Sequence, residues 1–329
     1  MGGHEPVKSH GRPRRDRVEG RSVFLEAWFA GALFVATLLS TLVAGALLQG
    51  VDPLGLEFST RFGVPFWWPT SLRWQALASG WPFAVGFVGV LLAHEWAHRV
   101  AASRHGIPTS PPFSIPFPPH LSVIGTLGAF IRLRGRVPSR RALLDVGLSG
   151  PLTSLLLSVP ILVAGLLLSE RSGVPALEGL PFLISFHDMP IRLGEPLLVR
   201  GMTALLPLAS GEGALLLHPL AFAGWLGLIL TFLNLLPLAR LDGGHILHAL
   251  DPARQRWWTR ATVLLFLVFG FWWAGWWVWA AVTLVLGRSR PLPDGAVGVE
   301  PLPSPGRRRA GWTVLATVPF LLPPVPVAL

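Results

Sequence analysis

The 329-residue chain contains no cysteine. A disulfide framework is therefore excluded, and so is any thiolate acting as metal ligand or nucleophile. Any metal site must be assembled from histidine and carboxylate. Charge is scarce as well: 13% of residues are Asp, Glu, Lys or Arg, against 51% hydrophobic. With a mean hydropathy of +0.55, that balance excludes an ordinary soluble domain and places the chain among integral membrane proteins. No internal repeat of about 20–50 residues is present. No cleavable secretory signal is read either. Residues 1–22 are polar and Arg-rich and lead into an apolar run from about residue 22 to 50, far longer than the roughly 7–15-residue core of a signal peptide. Arg14-Arg15 lacks the flanking context of a twin-Arg export signal, and Glu5, Asp16 and Glu19 interrupt the basic character that an organelle transit peptide would need. The net charge of +10 comes from Arg clusters beside apolar stretches. That pattern sets membrane topology rather than forming a nucleic-acid surface, so no nucleic-acid partner is expected.

What is abundant is apolar sequence in runs long enough to cross a bilayer, about 20 residues each. These runs predict an all-α polytopic membrane protein with about six transmembrane helices, over residues 23–49, 81–103, 143–168, 214–238, 261–286 and 311–328. The apolar segment 107–131 is different, because Pro108, Pro111, Pro112, Pro116, Pro118 and Pro119 forbid a regular helix there. A membrane-associated β/loop element is expected between the second and third spans, with Val123 to Leu133 as its strand candidate; such backbone survives at membrane depth only under cover of protein or water. The implied organisation is a basic cytoplasmic tail over 1–22, a membrane-embedded core over 23–286, a Pro/Arg-rich linker over 287–310 and a C-terminal transmembrane segment over 311–329.

Loop charges orient the chain. Residues 99–142 carry Arg99, Arg104, Arg132, Arg134, Arg136, Arg140 and Arg141 without a single acid, and 239–260 add Arg240, Arg254, Arg256 and Arg260. The stretches 50–80 and 169–213 are balanced or acidic. The positive-inside rule puts the N-terminus, 99–142 and 239–260 on the cytoplasmic side. Residues 287–310 conflict with a single crossing by 261–286, since they hold Arg288, Arg290 and Arg307 to Arg309. Either 261–286 is a re-entrant pair of short helices, as the Trp cluster at 272, 273, 276, 277 and 279 favours, or the last loop departs from the rule.

The chemistry lies in the second span, at His94-Glu95-Trp96-Ala97-His98. Positions i and i+4 share one helix face, so both imidazoles can reach one metal ion. Glu95 occupies a neighbouring part of that surface, where a carboxylate can act as general base. Ionisable groups inside a span are costly and point to function. A catalytic zinc site takes three protein ligands, so a third is required at similar depth. Asp242 fits: it follows the 214–238 span, where Pro237 breaks the helix and Gly243-Gly244 allow a turn that presents the carboxylate. Taken alone it would read as an ordinary helix-end residue. Of the remaining histidines, His105 reads as a helix-end residue and His120 and His187 as loop residues, while His218, His245 and His248 read either as outer partners of the site or as cytoplasmic surface residues, with His245 the nearest to Asp242.

His94-Glu95-Trp96-Ala97-His98 together with Asn234-x-x-Pro237-x-x-x-Leu241-Asp242-Gly243 resembles the site-2 protease family of intramembrane metalloproteases. Gly150-Pro151 matches a weaker third signature of that family. The resemblance covers about residues 80 to 250 and is nearest to the subgroup without an inserted PDZ domain, related to plastid proteins named for gravitropism and yellow-green phenotypes. Ile124 to Ala129 and His218-Pro219 leading to Ala223-Gly224-Trp225 support it. The resemblance implies one Zn2+ per chain held by His94, His98 and Asp242, with Glu95 as general base and Asn234 holding substrate or stabilising the oxyanion. It implies transmembrane-protein substrates in a lipid environment, and makes the 123–133 strand a platform for an unwound substrate segment. Ser154 stands where many relatives carry Asn or Gly, a departure expected to touch only helix packing. Two other classes remain open: a metal-handling membrane transporter, which would need inverted repeats and paired discontinuous helices, and a non-catalytic scaffold. High Gly, Pro and Arg usage suggests a GC-rich bacterial genome, so the expected home is a bacterial cytoplasmic (inner) membrane, with the site towards the cytoplasm.

Overall fold

A computed structural model describes residues 13–61, 64–187, 189–238, 241–287 and 303–328. The tail expected over 1–22 and the linker expected over 287–310 fall largely outside these residues or at their margins. Helix α1 (Pro13–Leu47) leads to a hairpin of β1 (Leu56–Arg61) and β2 (Val64–Pro69), then to the short α2 (Trp74–Leu77) and the long α3 (Trp81–Arg104). Strands β3 (Phe113–Pro116) and β4 (Thr126–Phe130) pair antiparallel ahead of α4 (Arg140–Leu167). Beyond α4 come β5 (Glu170–Arg171), β6 (Phe182–Phe186), β7 (Met189–Leu193), α5 (Leu197–Thr203) and β8 (Leu215–Leu216). Then follow α6 (Pro219–Asn234), α7 (Asp242–Leu250), α8 (Gln255–Phe269), α9 (Gly275–Gly287), α10 (Pro305–Ala316), α11 (Val318–Leu321) and β9 (Val327–Ala328).

Three helical stretches are long and apolar enough to cross a membrane: Phe24–Leu47, Trp74–Arg104 and Arg140–Leu167. The other expected spans are shorter or broken. Residues 214–238 reduce to the 16-residue α6, because Pro219 starts the helix at N1 and the chain turns after Asn234 ahead of Pro237. Residues 261–286 divide at Gly270 into α8 and α9, which pack on each other with Phe266 stacked on Trp276 and Trp277 Nε1 donating to Leu267 O. Residues 311–328 do not form one helix, since Pro319, Pro323, Pro324 and Pro326 break them into α10, α11 and a terminal strand.

The chain is predominantly helical rather than all-α. A five-stranded sheet, in the order β5-β8-β6-β7-β9, covers the ends of α4 and α6; β6 and β8 run parallel and the other pairs antiparallel. Its inner side chains Phe182, Ile184, Leu193 and Leu215 are buried, and Trp225 Nε1 of α6 donates to Gly194 O.

The helices α3, α4 and α6 form the centre. Within lipid the hydrophobic effect does not bring helices together, and close approach through small residues replaces it. A Cβ on Gly224 of α6 would lie 2.5 Å from Leu162 N of α4, so the two backbones touch where only glycine fits. The β3–β4 hairpin lies along α1. Gly125, which leads into β4, has a φ of +73°, and a Cβ there would stand 2.7 Å from Ser40 O. Both the left-handed backbone and the contact demand glycine. Ser40 Oγ also donates to Phe117 O, fixing the hairpin to the first span.

At the Arg-rich end, Asp145 near the start of α4 gathers His105 Nε2 at 3.0 Å and Arg307 Nε at 2.9 Å. At the opposite end of the chain's last segment, Val327 and Ala328 pair with β7. Residues 303–328 therefore run from the first turns of α4 to the sheet beyond its far end.

Candidate metal centre

Helix α3 carries His94, Glu95 and His98 on its buried side, with exposures of 6%, 8% and 6%. The same helix turns Trp96 outward, as a 3.6-residue period requires. Facing them is the first residue of α7, Asp242. The chain leaves α6 at Asn234, turns through Leu235 to Leu238, and re-enters a helix at Asp242. Gly243 is packed so closely on Leu235 and Leu236 that a Cβ would overlap the Leu235 carbonyl. This contact presses the start of α7 against the end of α6 and holds the Asp242 carboxylate in place.

The three donors converge. His94 Nε2 and His98 Nε2 are 2.9 Å apart, and Asp242 Oδ2 and Oδ1 lie 3.2 Å from His94 Nε2 and 3.3 Å from His98 Nε2. One ligand atom from each falls within 4.8 Å of the others, which makes them a group able to hold a metal ion. For zinc–nitrogen distances of about 2.0–2.1 Å, neighbouring ligand atoms of a tetrahedral site stand about 3.3 Å apart. The observed separations lie near that edge length. The outer nitrogens fit as well: His98 Nδ1 lies 2.8 Å from Val146 O, a carbonyl that can only accept. His98 Nδ1 must therefore carry the proton, which leaves Nε2 with a bare lone pair facing Asp242. Imidazole and carboxylate are ligands zinc takes readily, so the residues present fit the ion.

The Ile131 backbone, one residue past β4, lies beside Glu95. The β3–β4 hairpin thus reaches the site. Asn234, the last residue of α6, brings Nδ2 to 3.4 Å from His94 Nε2. All five residues predicted from the sequence are therefore brought together.

Other members of the site were not legible in the sequence. Gly150 of α4 forms its wall: a Cβ there would overlap His98 Nε2 and lie 2.7 Å from His94 Nε2. Ser154, expected to bear only on helix packing, instead places Oγ 2.7 Å from His94 Nδ1. The Gly-Pro signature gave a position on α4 but not which way its next turn faces. His245, three residues after Asp242 on α7, packs against Gly147 of α4 beside the site, while the other five histidines within the described residues serve elsewhere. His105 joins Asp145, His248 Nδ1 meets Gln255 Oε1 at 3.0 Å, and His218 Nδ1 accepts from Leu220 N at 3.2 Å to cap α6. Burial holds the His218 imidazole below its usual pKa, which keeps that nitrogen free to accept. His120 meets Phe66, and His187 stacks on Trp67.

Residues 82–271 match the model of peptidase family M50. Among curated proteins the chain is similar to the probable zinc metalloprotease EGY1, chloroplastic, of Oryza sativa subsp. japonica. The two are 31% identical over 250 residues, which is 74% of this chain and 41% of that protein. It is also similar to two Arabidopsis thaliana proteins. The probable zinc metallopeptidase EGY3, chloroplastic, is 34% identical over 51% of this chain and 30% of its own length. The probable zinc metalloprotease EGY2, chloroplastic, is 29% identical over 71% of this chain and 37% of its own. The chain thus spans well under half the length of these relatives. No solved structure matches it. These relatives overturn the expectation of a bacterial cytoplasmic membrane, since each of them is named as chloroplastic. Gly, Pro and Arg usage reflects genome composition, and it carries no physical signal for a compartment.

Proposed function

The chain belongs to peptidase family M50, the site-2 protease family its motifs resemble, and from that membership we propose that it is an intramembrane zinc metalloprotease. It hydrolyses peptide bonds in or near the transmembrane segments of membrane-protein substrates, as in regulated intramembrane proteolysis. The observation that carries this reading is the convergence of Asp242 of α7 with His94 and His98 of α3, a helix long and apolar enough to cross a membrane.

His94, His98 and Asp242 would hold one zinc ion, which when bound supplies Lewis-acid activation of water and of the scissile carbonyl. Glu95 takes the proton of the attacking water and delivers it to the leaving amine. Its carboxylate lies on the same helix as both imidazoles, with the Ile131 backbone beside it. The Asn234 amide donates to the oxyanion that develops at the scissile carbonyl. A helical substrate hides its amides, so it must unwind before attack. Among the described residues β4 pairs only with β3, which leaves its other edge open for an extended segment. Ile131 follows that edge directly, so a strand added there is led towards Glu95.

The topology completes the proposal. α8 and α9 enter the membrane and return as a re-entrant hairpin, which places both ends at the Arg-rich face. The segment from α10 to β9 then crosses in broken form. The Arg307–Asp145 pair at one end and the β9–β7 pairing at the other support that path. The core 23–286, the flanking 1–22 tail, the 287–310 linker and the terminal 311–329 segment are its functional divisions.

The test is purified protein in detergent, assayed for bound zinc and for cleavage of a model transmembrane substrate. The expected result is about one zinc per chain and cleavage that a chelator stops and added zinc restores. Stoichiometric zinc with no cleavage of any transmembrane substrate would leave a metal-handling or scaffolding role instead.

A further inference from the structure

The two imidazoles at the centre are held from behind in different ways. His98 leans on a main-chain carbonyl, Val146 O, which no side-chain substitution removes. His94 has only a side chain. Among the described residues the one polar atom placed to meet its Nδ1 is Ser154 Oγ, at 2.7 Å. Ser154 and His94 are both buried, at 3% and 6% exposure, so the contact is shielded from solvent.

The hydroxyl's other contact settles the direction of the bond. Ser154 Oγ also lies 3.2 Å from Gly150 O, one turn back on α4. A carbonyl can only accept, so the hydroxyl proton points to Gly150 O. The Ser154 oxygen is then left to accept from His94 Nδ1–H. That chain of bonds selects the tautomer of His94 in which Nε2 is bare and faces Asp242 and His98. Gly150 therefore serves twice, once through the missing Cβ that lets α4 lie against both imidazoles, and once through the carbonyl that fixes the Ser154 hydroxyl.

We propose that Ser154 is a positioning residue for the metal centre: it fixes the tautomer and ring orientation of His94, and through them the affinity of the site for zinc. The inference rests on the zinc reading given above. It concerns a residue outside the ligand set, one that the sequence pattern alone assigned to packing.

The neighbouring turn supplies an internal control. Ser158 lies four residues on in the same helix, is fully buried, and its Oγ has no hydrogen-bond partner. Ser154→Ala and Ser158→Ala remove the same atom from the same helix at similar burial. Only the first removes a bond to a ligand. Removing an outer partner of a metal-ligating histidine typically weakens metal binding by about 10–100-fold.

The experiment is zinc affinity by chelator competition on the purified full-length protein in detergent, for wild type, Ser154→Ala, Ser158→Ala and Ser154→Thr. Cobalt-substituted absorption spectra of each give a second readout. The expected result is a roughly 10–100-fold loss of affinity and an altered cobalt spectrum for Ser154→Ala. Ser158→Ala should stay within about twofold of wild type, and Ser154→Thr, which keeps the hydroxyl, should recover most of the loss. Wild-type affinity in Ser154→Ala would overturn the proposal, and so would an equal loss in Ser158→Ala, which would assign the effect to packing. Failure of the wild type itself to bind zinc would instead remove the metalloprotease reading on which the inference stands.

Discussion

Gly150→Ala tests the close approach of α4 to the histidine pair. The added methyl group would overlap His98 Nε2, lie 2.6 Å from His98 Cε1 and lie 2.7 Å from His94 Nε2, whereas real Cβ contacts essentially never fall below 3.0 Å. Neither ring can retreat freely, since His98 Nδ1 is tied to Val146 O and His94 Nδ1 to Ser154 Oγ. Relieving the clash requires a shift of roughly 0.5–1 Å, while metal–ligand distances hold to within about 0.2 Å. The folding cost of one extra methyl in a packed site is only about 1–3 kcal/mol. The effect on the metal should be larger: at about 1.4 kcal/mol per tenfold, losing about 3 kcal/mol of ligand geometry weakens zinc binding roughly a hundredfold. Zinc content by elemental analysis and melting in detergent separate the two effects. Gly89→Ala, on the exposed side of α3 with nothing within 4 Å of its Cβ, should keep full zinc and gain at most about 1 kcal/mol of stability. If Gly150→Ala bound zinc as tightly as wild type, the packing of α4 against His94 and His98 would be wrong.

Three further outcomes follow from the same geometry. Asp242→Ala removes one of three donors and should lower zinc affinity by roughly a hundredfold or more, read by chelator competition. Asn234→Ala should keep its zinc yet lower kcat by about 10²–10³-fold, since one oxyanion donor is lost while the ligand set stays intact. His218→Ala removes the α6 cap and should cost about 1 kcal/mol in a melting assay. Because burial lowers the folded-state pKa of His218, its cap is complete above the ordinary histidine value of about 6.5. Its contribution should fade as pH drops below that value, and the Ala variant should lose that part of the acid sensitivity.

How much of this was legible in the sequence depended on whether a residue's partner lay on its own helix. His94, Glu95 and His98 declare a site because a regular helix fixes their relative directions. Asp242 was offered by Pro237 and the Gly pair, which allow a turn beyond α6, and the structure places its carboxylate beside the two imidazoles. The contact of Ser154 with His94 was not legible because it depends on which turn of α4 faces α3, a fact of packing rather than of pattern. The strands of the five-stranded sheet are two to five residues long, too short for alternation to announce itself, and two of the five gain their meaning only by pairing across more than 40 residues. The prolines that forbade a helix over 107–131 also allowed the β3–β4 hairpin, but with β4 confined to Thr126–Phe130 and partnered by Phe113–Pro116. Hydropathy offers 261–286 and 311–328 as spans, with a re-entrant pair left open for the first, because an apolar run does not reveal where Gly270 or Pro319 will break it.

If Glu95 does chemistry at a zinc held by His94, His98 and Asp242, a comparison of Glu95→Gln with wild type will expose it. Both proteins are purified in detergent, their zinc is quantified, and both are given the same model transmembrane substrate. Equal zinc is expected in the two proteins, with cleavage by wild type and none by the Gln variant, whose amide cannot take a proton from water. Cleavage by Glu95→Gln at the wild-type rate would contradict it.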